Sequence, residues 1–193
     1  MKIVAIVGMT GSGKTEAAKV FVEQGFEYLR FGQAVLDEVK RRCLEVNEKN
    51  ERFVREDMRK QHGMAVMAKF LIPKFEQLIT KANVVADGLY SWEEYTLLKE
   101  KFGDELVVLA IYAKPAIRYN RLANRKYDPK KDKKAIYRAY SLEEAKSRDY
   151  AEIVNSHKTG PIAMADYTII NEDNVEKLRE KVEEFISGII ATK

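Results

Sequence analysis

Eight residues near the start of the chain, Gly8 to Thr15, read GMTGSGKT. Glycines at Gly8, Gly11 and Gly13 let the backbone take up conformations that a side chain forbids, so successive N–H groups can curl around one point. A concave run of N–H donors binds anions, and the first turn of a following helix adds the positive end of its dipole. Lys14 and Thr15 complete the pattern G-x-x-x-x-G-K-[ST], in which the ammonium reaches the β- and γ-phosphates of a nucleoside triphosphate and the hydroxyl takes Mg²⁺. Gly8, Met9, Thr10, Gly11, Ser12, Gly13, Lys14 and Thr15, with Glu16 beside them, are therefore the candidate nucleotide-binding residues. A second chemical element is VVADG, Val84 to Gly88. A carboxylate at the end of a buried parallel strand would stand beside the mouth of such a loop, where Asp87 could hold Mg²⁺ directly or through a water.

The flanking segments are of the kind that could position these groups. Lys2 to Val7 is an apolar run and Gly13 to Gln24 has helical spacing, with Gly25 as its C-cap. Phe26 to Arg30 reads as a second strand. A helical region follows from Gln33 to Ile79, with breaks expected near Asn47–Asn50, Gly63 and Pro73. Asn83 to Asp87 and Glu105 to Tyr112 read as strands, the latter apolar throughout, as when both faces are covered. Ser91 caps a helix reaching Phe102, and Pro115 opens another that reaches Arg125. Ser141 with Glu144 forms a capping box. Asp166 to Ile170 is the last strand, and Val175 to Ile190 the last helix. Strands alternating with helices predict an α/β fold with a parallel, doubly wound sheet.

Composition sets limits. The 193 residues, a third of them charged, suit one domain with a substantial core. The single cysteine, Cys43, permits no disulfide framework, and the first apolar run is too short to span a membrane, so a cytosolic, cytoplasmic protein with no membrane partner is expected. The net charge of +4 is uneven: Arg118 to Arg148 holds eleven Lys or Arg against four Asp or Glu. That points to a polyanion, either nucleotide phosphates or nucleic acid. The chain carries no recognised RNA- or DNA-binding motif, and a nucleic-acid partner is not expected. Where GTP switches carry Asn-Lys-x-Asp, this chain has YAKPA after Ile111, which favours ATP. His62 and His157 have no metal-ligand spacing.

Over nearly its whole length the sequence resembles the nucleoside monophosphate kinase-like group of P-loop proteins, most of all the dephospho-CoA kinase-like and archaeal adenylate kinase-related branches. The likeness is carried by GMTGSGKT, FGQAVLDEV, VVADG, AKPAIRYNRLANR, EEAKSRD and MADYTIINEDNVEKLREKV. It implies a three-layer P-loop fold with a five-stranded parallel sheet, forming one kinase domain over residues 1–193. An acceptor-binding helical segment would span about 32–77 and a basic lid about 126–140. It also implies a phosphotransferase using ATP and Mg²⁺. Arg121, Arg125 and Arg148 would clamp the transferring phosphoryl with Lys14 and Asp87 as the other catalytic residues, and Asn171 would contact the donor base.

The departures from that pattern leave the acceptor open. Asp87-Gly88 is followed by Leu89 and Tyr90, where monophosphate kinases place an acceptor-gripping arginine. The end of the second strand reads Arg30, Phe31, Gly32, Gln33, where dephospho-CoA kinases carry an aspartate base. A hydroxyl acceptor benefits from a base, for which Asp37 or Asp87 are the candidates; an anionic phosphate needs little. Arg30, Arg55 and Arg59, with Gly88, are the candidates for acceptor contacts. A nucleotide-dependent regulatory NTPase, whose partner is a protein, is the alternative reading.

Overall fold

Five short runs become strands, and the central ones are apolar because helices cover both of their faces. In the computed structural model, which describes residues 1–125 and 140–191, these are β1 (Ile3–Val7), β2 (Glu27–Arg30), β3 (Val84–Asp87), β4 (Leu106–Tyr112) and β5 (Tyr167–Ile170). All pair in parallel in the order β2-β3-β1-β4-β5. Every residue of β1 and β3 is buried, which is why neither shows polar alternation. Ile6 lies opposite Asp87 and Val7 opposite Ala110. This register brings the loop after β1 and the carboxylate ending β3 to the same edge of the sheet.

The helices are α1 (Lys14–Glu23), α2 (Phe31–Arg41), α3 (Glu48–His62), α4 (Val66–Ile79), α5 (Trp92–Phe102), α6 (Pro115–Ala123), α7 (Leu142–Val154), α8 (Thr159–Ala163) and α9 (Val175–Ala191). Phe31, Val39, Leu71, Phe75 and Leu98 form the core on one face. Phe21, Leu178, Val182 and Ile186, from α1 and α9, form it on the other. Phe75 lies between the rings of Phe31 and Phe102, at 6.3 and 5.8 Å. A buried aromatic of this kind contributes about 3–5 kcal/mol relative to alanine.

The capping box expected at Ser141 is present, and Ser91 forms a second with Glu94. Two expectations differ, and one short helix adds to them. Pro73 does not break the chain but lies inside α4. It cannot donate to the carbonyl four residues earlier, and the buried Leu71 and Phe75 on either side outweigh that loss. The turn Thr159–Ala163 is helical despite its glycine and proline, because Gly160 packs on Trp92: a Cβ there would lie 2.8 Å from Trp92 Cε3. Trp92 also stacks on Tyr95, so both serve packing. Finally, α6 stops at Ala123, which leaves Arg125 beyond the helix end. Apart from Tyr140, the stretch expected as a lid lies outside the described residues.

Candidate active site

The loop between β1 and α1 has the backbone its glycines predict, with φ of 143° at Gly8, 84° at Gly11 and 104° at Gly13. Side chains are excluded by space as well as by strain. A Cβ at Gly8 would lie 2.3 Å from the Ile111 carbonyl, and one at Gly13 would lie 2.3 Å from Asn171 Nδ2. The loop is also braced from outside. Arg118 Nη1 donates to Thr10 O at 3.0 Å, Asn171 Nδ2 donates to Ser12 O at 2.8 Å, and Thr10 Oγ1 donates to Glu152 Oε1 at 2.9 Å. Lys14 arches back over the loop, its ammonium donating to Met9 O at 3.1 Å. Desolvation, and then the nearby Lys158 ammonium, push the Lys14 pKa down to about 7 against the pull of Asp87 and Glu152. The phosphate site thus holds its lysine in a dry setting where burial, more than neighbouring charge, disfavours the ammonium.

Asp87 is 6% exposed, and one of its oxygens, Oδ2, accepts from Thr15 Oγ1 at 3.2 Å and from Tyr28 OH at 3.1 Å. A hydroxyl and a carboxylate at this separation form a hard-oxygen donor pair, which fits Mg²⁺. The ion, when bound with a nucleotide, would neutralise charge between the β- and γ-phosphates.

Beyond the loop the surface opens in three neighbouring spaces that share lining residues. The first, a mouth of about 140 Å³, is lined by the loop, Asp87, Gly88, Arg30, Arg125 and Arg148. The second, a neck of about 60 Å³, is lined by Arg30, Gly32, Glu51, Arg55, Arg59 and Arg148 among others. The third is a cleft of about 1060 Å³ between α3 and α7, with Phe53, Met64, Tyr140 and Ser156 on its walls and Arg55, Arg59 and Arg148 at its inner end. Tyr90 and Arg148 line all three. Glu152 anchors this junction. It accepts from Lys158 Nζ at 2.6 Å and from Arg148 Nε at 3.0 Å, besides Thr10. Although burial opposes its charge, Lys158 and Arg148 hold its carboxyl far below the usual carboxylate range. Lys158 is fully buried.

Lys14, Thr15, Glu16, Asp87, Gly88, Arg30, Arg125 and Arg148 converge on the mouth, and Arg55 and Arg59 on the neck. Arg121 does not join them. It donates to the carbonyls of Asn171 and Asp173, each at 3.0 Å, so its guanidinium is committed to the β5–α9 turn rather than to a phosphoryl group. The Asn171 amide bonds the phosphate loop rather than pointing to a base site, and its oxygen takes Arg121 at 3.4 Å. Arg118, on the same helix, is buried against Asp149. Met9 and Ser12 lie at the back of the loop, on a separate cavity lined by Tyr112, Pro115 and Ile153. Asp37 is exposed, accepts from Gln33 and lines none of these spaces, so it is no candidate base. Arg148 pairs with Glu152 rather than Glu144, whose carboxylate caps α7. Tyr90, Glu152 and Lys158 were not expected. The i,i+4 spacing of Arg148 and Glu152 was the one available signal.

Parallel strands in this order, with the glycine loop at the carboxyl edge of the central one, are the P-loop kinase fold. The chain belongs to the family described as an AAA domain, whose profile matches residues 4–155, and to the UPF0200 proteins. It is 32% identical over 196 residues to a UPF0200 protein of Thermococcus onnurineus, covering 98% of each chain. It is 36% identical to a UPF0200/UPF0201 protein of Archaeoglobus fulgidus, covering 93% of this chain and 54% of that one, so it spans about half of that relative. Among solved structures, shikimate kinase from Acinetobacter baumannii in complex with shikimate superposes with a TM-score of 0.56 at 17% identity, covering 100% of this chain and 95% of that one. A gluconokinase from Sinorhizobium meliloti gives 0.56 at 10% identity, covering 97% and 93%. At such identities the likeness is one of fold.

Proposed function

We propose that this protein is an ATP-dependent, Mg²⁺-requiring kinase that passes the γ-phosphoryl to a small anionic, nucleotide-like acceptor. The acceptor is of the nucleoside monophosphate or dephospho-CoA type, as in the dephospho-CoA kinase-like and archaeal adenylate kinase-related branches. The observation that carries this reading is the shared cationic lining of the three spaces: Arg30 and Arg148 are common to the mouth and the neck, and Arg55, Arg59 and Arg148 to the neck and the outer cleft. A regulatory NTPase needs the mouth alone. The outer cleft, at about 1060 Å³, lies at the upper end of the range for small-molecule sites. It suits an acceptor larger than a simple hydroxy acid, and an arginine-lined neck suits an anionic group on it.

In this reading Lys14, Arg125 and Arg148 surround the phosphoryl group in flight, and Thr15 and Asp87 hold the metal. Arg30, Arg55, Arg59 and Gly88 contact the acceptor. With charge spread over the equatorial oxygens, fixed cations are most of what the transfer requires. Among the described residues no helix is long and apolar enough to cross a membrane. A cytoplasmic location is part of the proposal.

The test is a screen of ATP-Mg against nucleoside monophosphates, nucleosides, dephospho-CoA and shikimate, with products read by mass spectrometry. The expected result is one phosphorylated acceptor, with turnover lost in Lys14→Ala. ATP hydrolysed without any phosphorylated acceptor across the panel would refute the proposal.

A further inference from the structure

We propose that Tyr90 is a catalytic residue of this site, its hydroxyl hydrogen-bonding the phosphoryl group as it crosses from donor to acceptor. The inference rests on the kinase reading above and adds to it a group that none of the site's charged residues supplies.

The placement comes first. Gly88, with φ of 89°, turns the chain after β3, and the Tyr90 ring lies against that turn, 3.7 Å from where a Cβ on Gly88 would stand. The ring is carried to the point where mouth, neck and outer cleft meet, beside Arg148. A phosphoryl group moving from a nucleotide on the loop to an acceptor in the cleft must pass this pair.

The hydrogen bonds come second. The Tyr90 hydroxyl accepts from Arg148 Nη2 at 3.2 Å, so its own proton points elsewhere. That proton faces Glu152 Oε1 at 3.5 Å, the outer limit of a hydrogen bond. Glu152 is already served at shorter range by Lys158, Thr10 and Arg148, at 2.6, 2.9 and 3.0 Å. Of the donors on that carboxylate, Tyr90 is the most weakly held. A phosphoryl oxygen arriving at the junction can take its proton without leaving Glu152 unsatisfied.

The local charge makes it a strong donor. Lys158 Nζ sits 4.1 Å from the ring centroid and Arg148 bonds the phenolic oxygen. Burial alone would raise the pKa of Tyr90, yet Lys158, Arg148 and Arg55 bring it below the ordinary tyrosine value against the opposing Glu152. A polarised, neutral O–H complements the ammonium of Lys14 and the guanidinium of Arg148, giving three kinds of donor for the equatorial oxygens of the transition state.

Tyr90→Phe removes the hydroxyl and keeps the ring with its contacts to Lys158 and Gly88. Turnover is followed with ATP-Mg and an acceptor from the screen, or by phosphate release from ATP-Mg alone. Binding is measured for ADP-Mg and for ADP-Mg with aluminium fluoride, a mimic of the phosphoryl group in flight. The expected loss in kcat is on the order of 10²-fold, with the aluminium fluoride complex weakened by a similar factor and ADP-Mg affinity unchanged. A kcat equal to the parent's overturns the proposal, as does a loss matched by an equal fall in ADP-Mg affinity. A parent that binds no ATP-Mg refutes the kinase reading itself; an active parent with an equally active Tyr90→Phe refutes only the role of Tyr90.

Discussion

Replacing Arg118 by methionine tests how the phosphate loop is held. The Arg118 and Asp149 side chains are 5% and 8% exposed and meet through two hydrogen bonds, of 2.9 and 2.6 Å. Arg118 also donates to the carbonyls of Ala113 and Thr10, each at 3.0 Å. In Arg118→Met the Asp149 carboxylate stays buried with the Tyr119 hydroxyl, at 2.9 Å, as its remaining partner among these bonds. Removing one member of a buried ion pair costs about 3–5 kcal/mol. For a chain of this size each kcal/mol lowers Tm by about 2–4 °C, so thermal unfolding followed by circular dichroism should show a fall of about 6–20 °C. The double variant Arg118→Met/Asp149→Leu exchanges the ion pair for apolar groups and should recover part of that loss, about 1–3 kcal/mol. It should keep a deficit of about 2 kcal/mol for the two carbonyls left without their donor. Its affinity for ATP-Mg, measured by calorimetry, should stay weakened, because the Thr10 carbonyl has lost the guanidinium that fixed it, although the Thr10 hydroxyl keeps Glu152. A single variant within about 3 °C of the parent, or a double variant no more stable than the single, would refute the reasoning.

Two further predictions concern protons. Because burial holds the Lys14 pKa down to about 7, and a triphosphate favours its charged form, ATP-Mg binding at pH 8 should take up protons, and the uptake should shrink at pH 6; calorimetry in buffers of different ionisation enthalpy reads this directly. Burial raises the Glu94 carboxyl to about 7 against the pull of Arg59 and of the backbone N–H groups of Tyr90 and Ser91. A raised carboxylate pKa favours the fold below the unfolded value, and that benefit is lost as pH climbs through the folded one. Urea unfolding should therefore show stability falling between about pH 4.5 and 7, by a few kcal/mol at most, with the slope flattened in Glu94→Gln.

Much of the architecture was legible because hydrophobic period and capping act locally. The apolar runs of the central strands, a glycine loop and two serine caps each determine their own neighbourhood, and the strand-end position of Asp87 follows from parallel pairing. The side chains of the site were less legible, because their partners lie far away in sequence. Arg121 and Arg125 look alike on a helical wheel, yet the helix ends between them and the β5–α9 turn captures the first. Lys158 stands at the start of a helical turn whose Gly160 packs on Trp92, a contact between segments almost seventy residues apart. Tyr90 stood at a position where the resemblance led one to look for an arginine, and its significance appears only when three cavities are seen to share it.

The brace that Asn171 gives to Ser12 has a consequence for how fragments of this protein would behave. The family profile ends at residue 155, sixteen positions short of that asparagine. A polypeptide cut to the profile would carry the whole nucleotide signature and yet lose the amide beside Gly13, the turn that holds Arg121, and an outer strand of the sheet. Its signature would be intact on paper, yet its loop would keep the braces from Arg118 and Glu152 and lose the one from Asn171, so the competence of the first fifteen residues is in part a property of the last thirty.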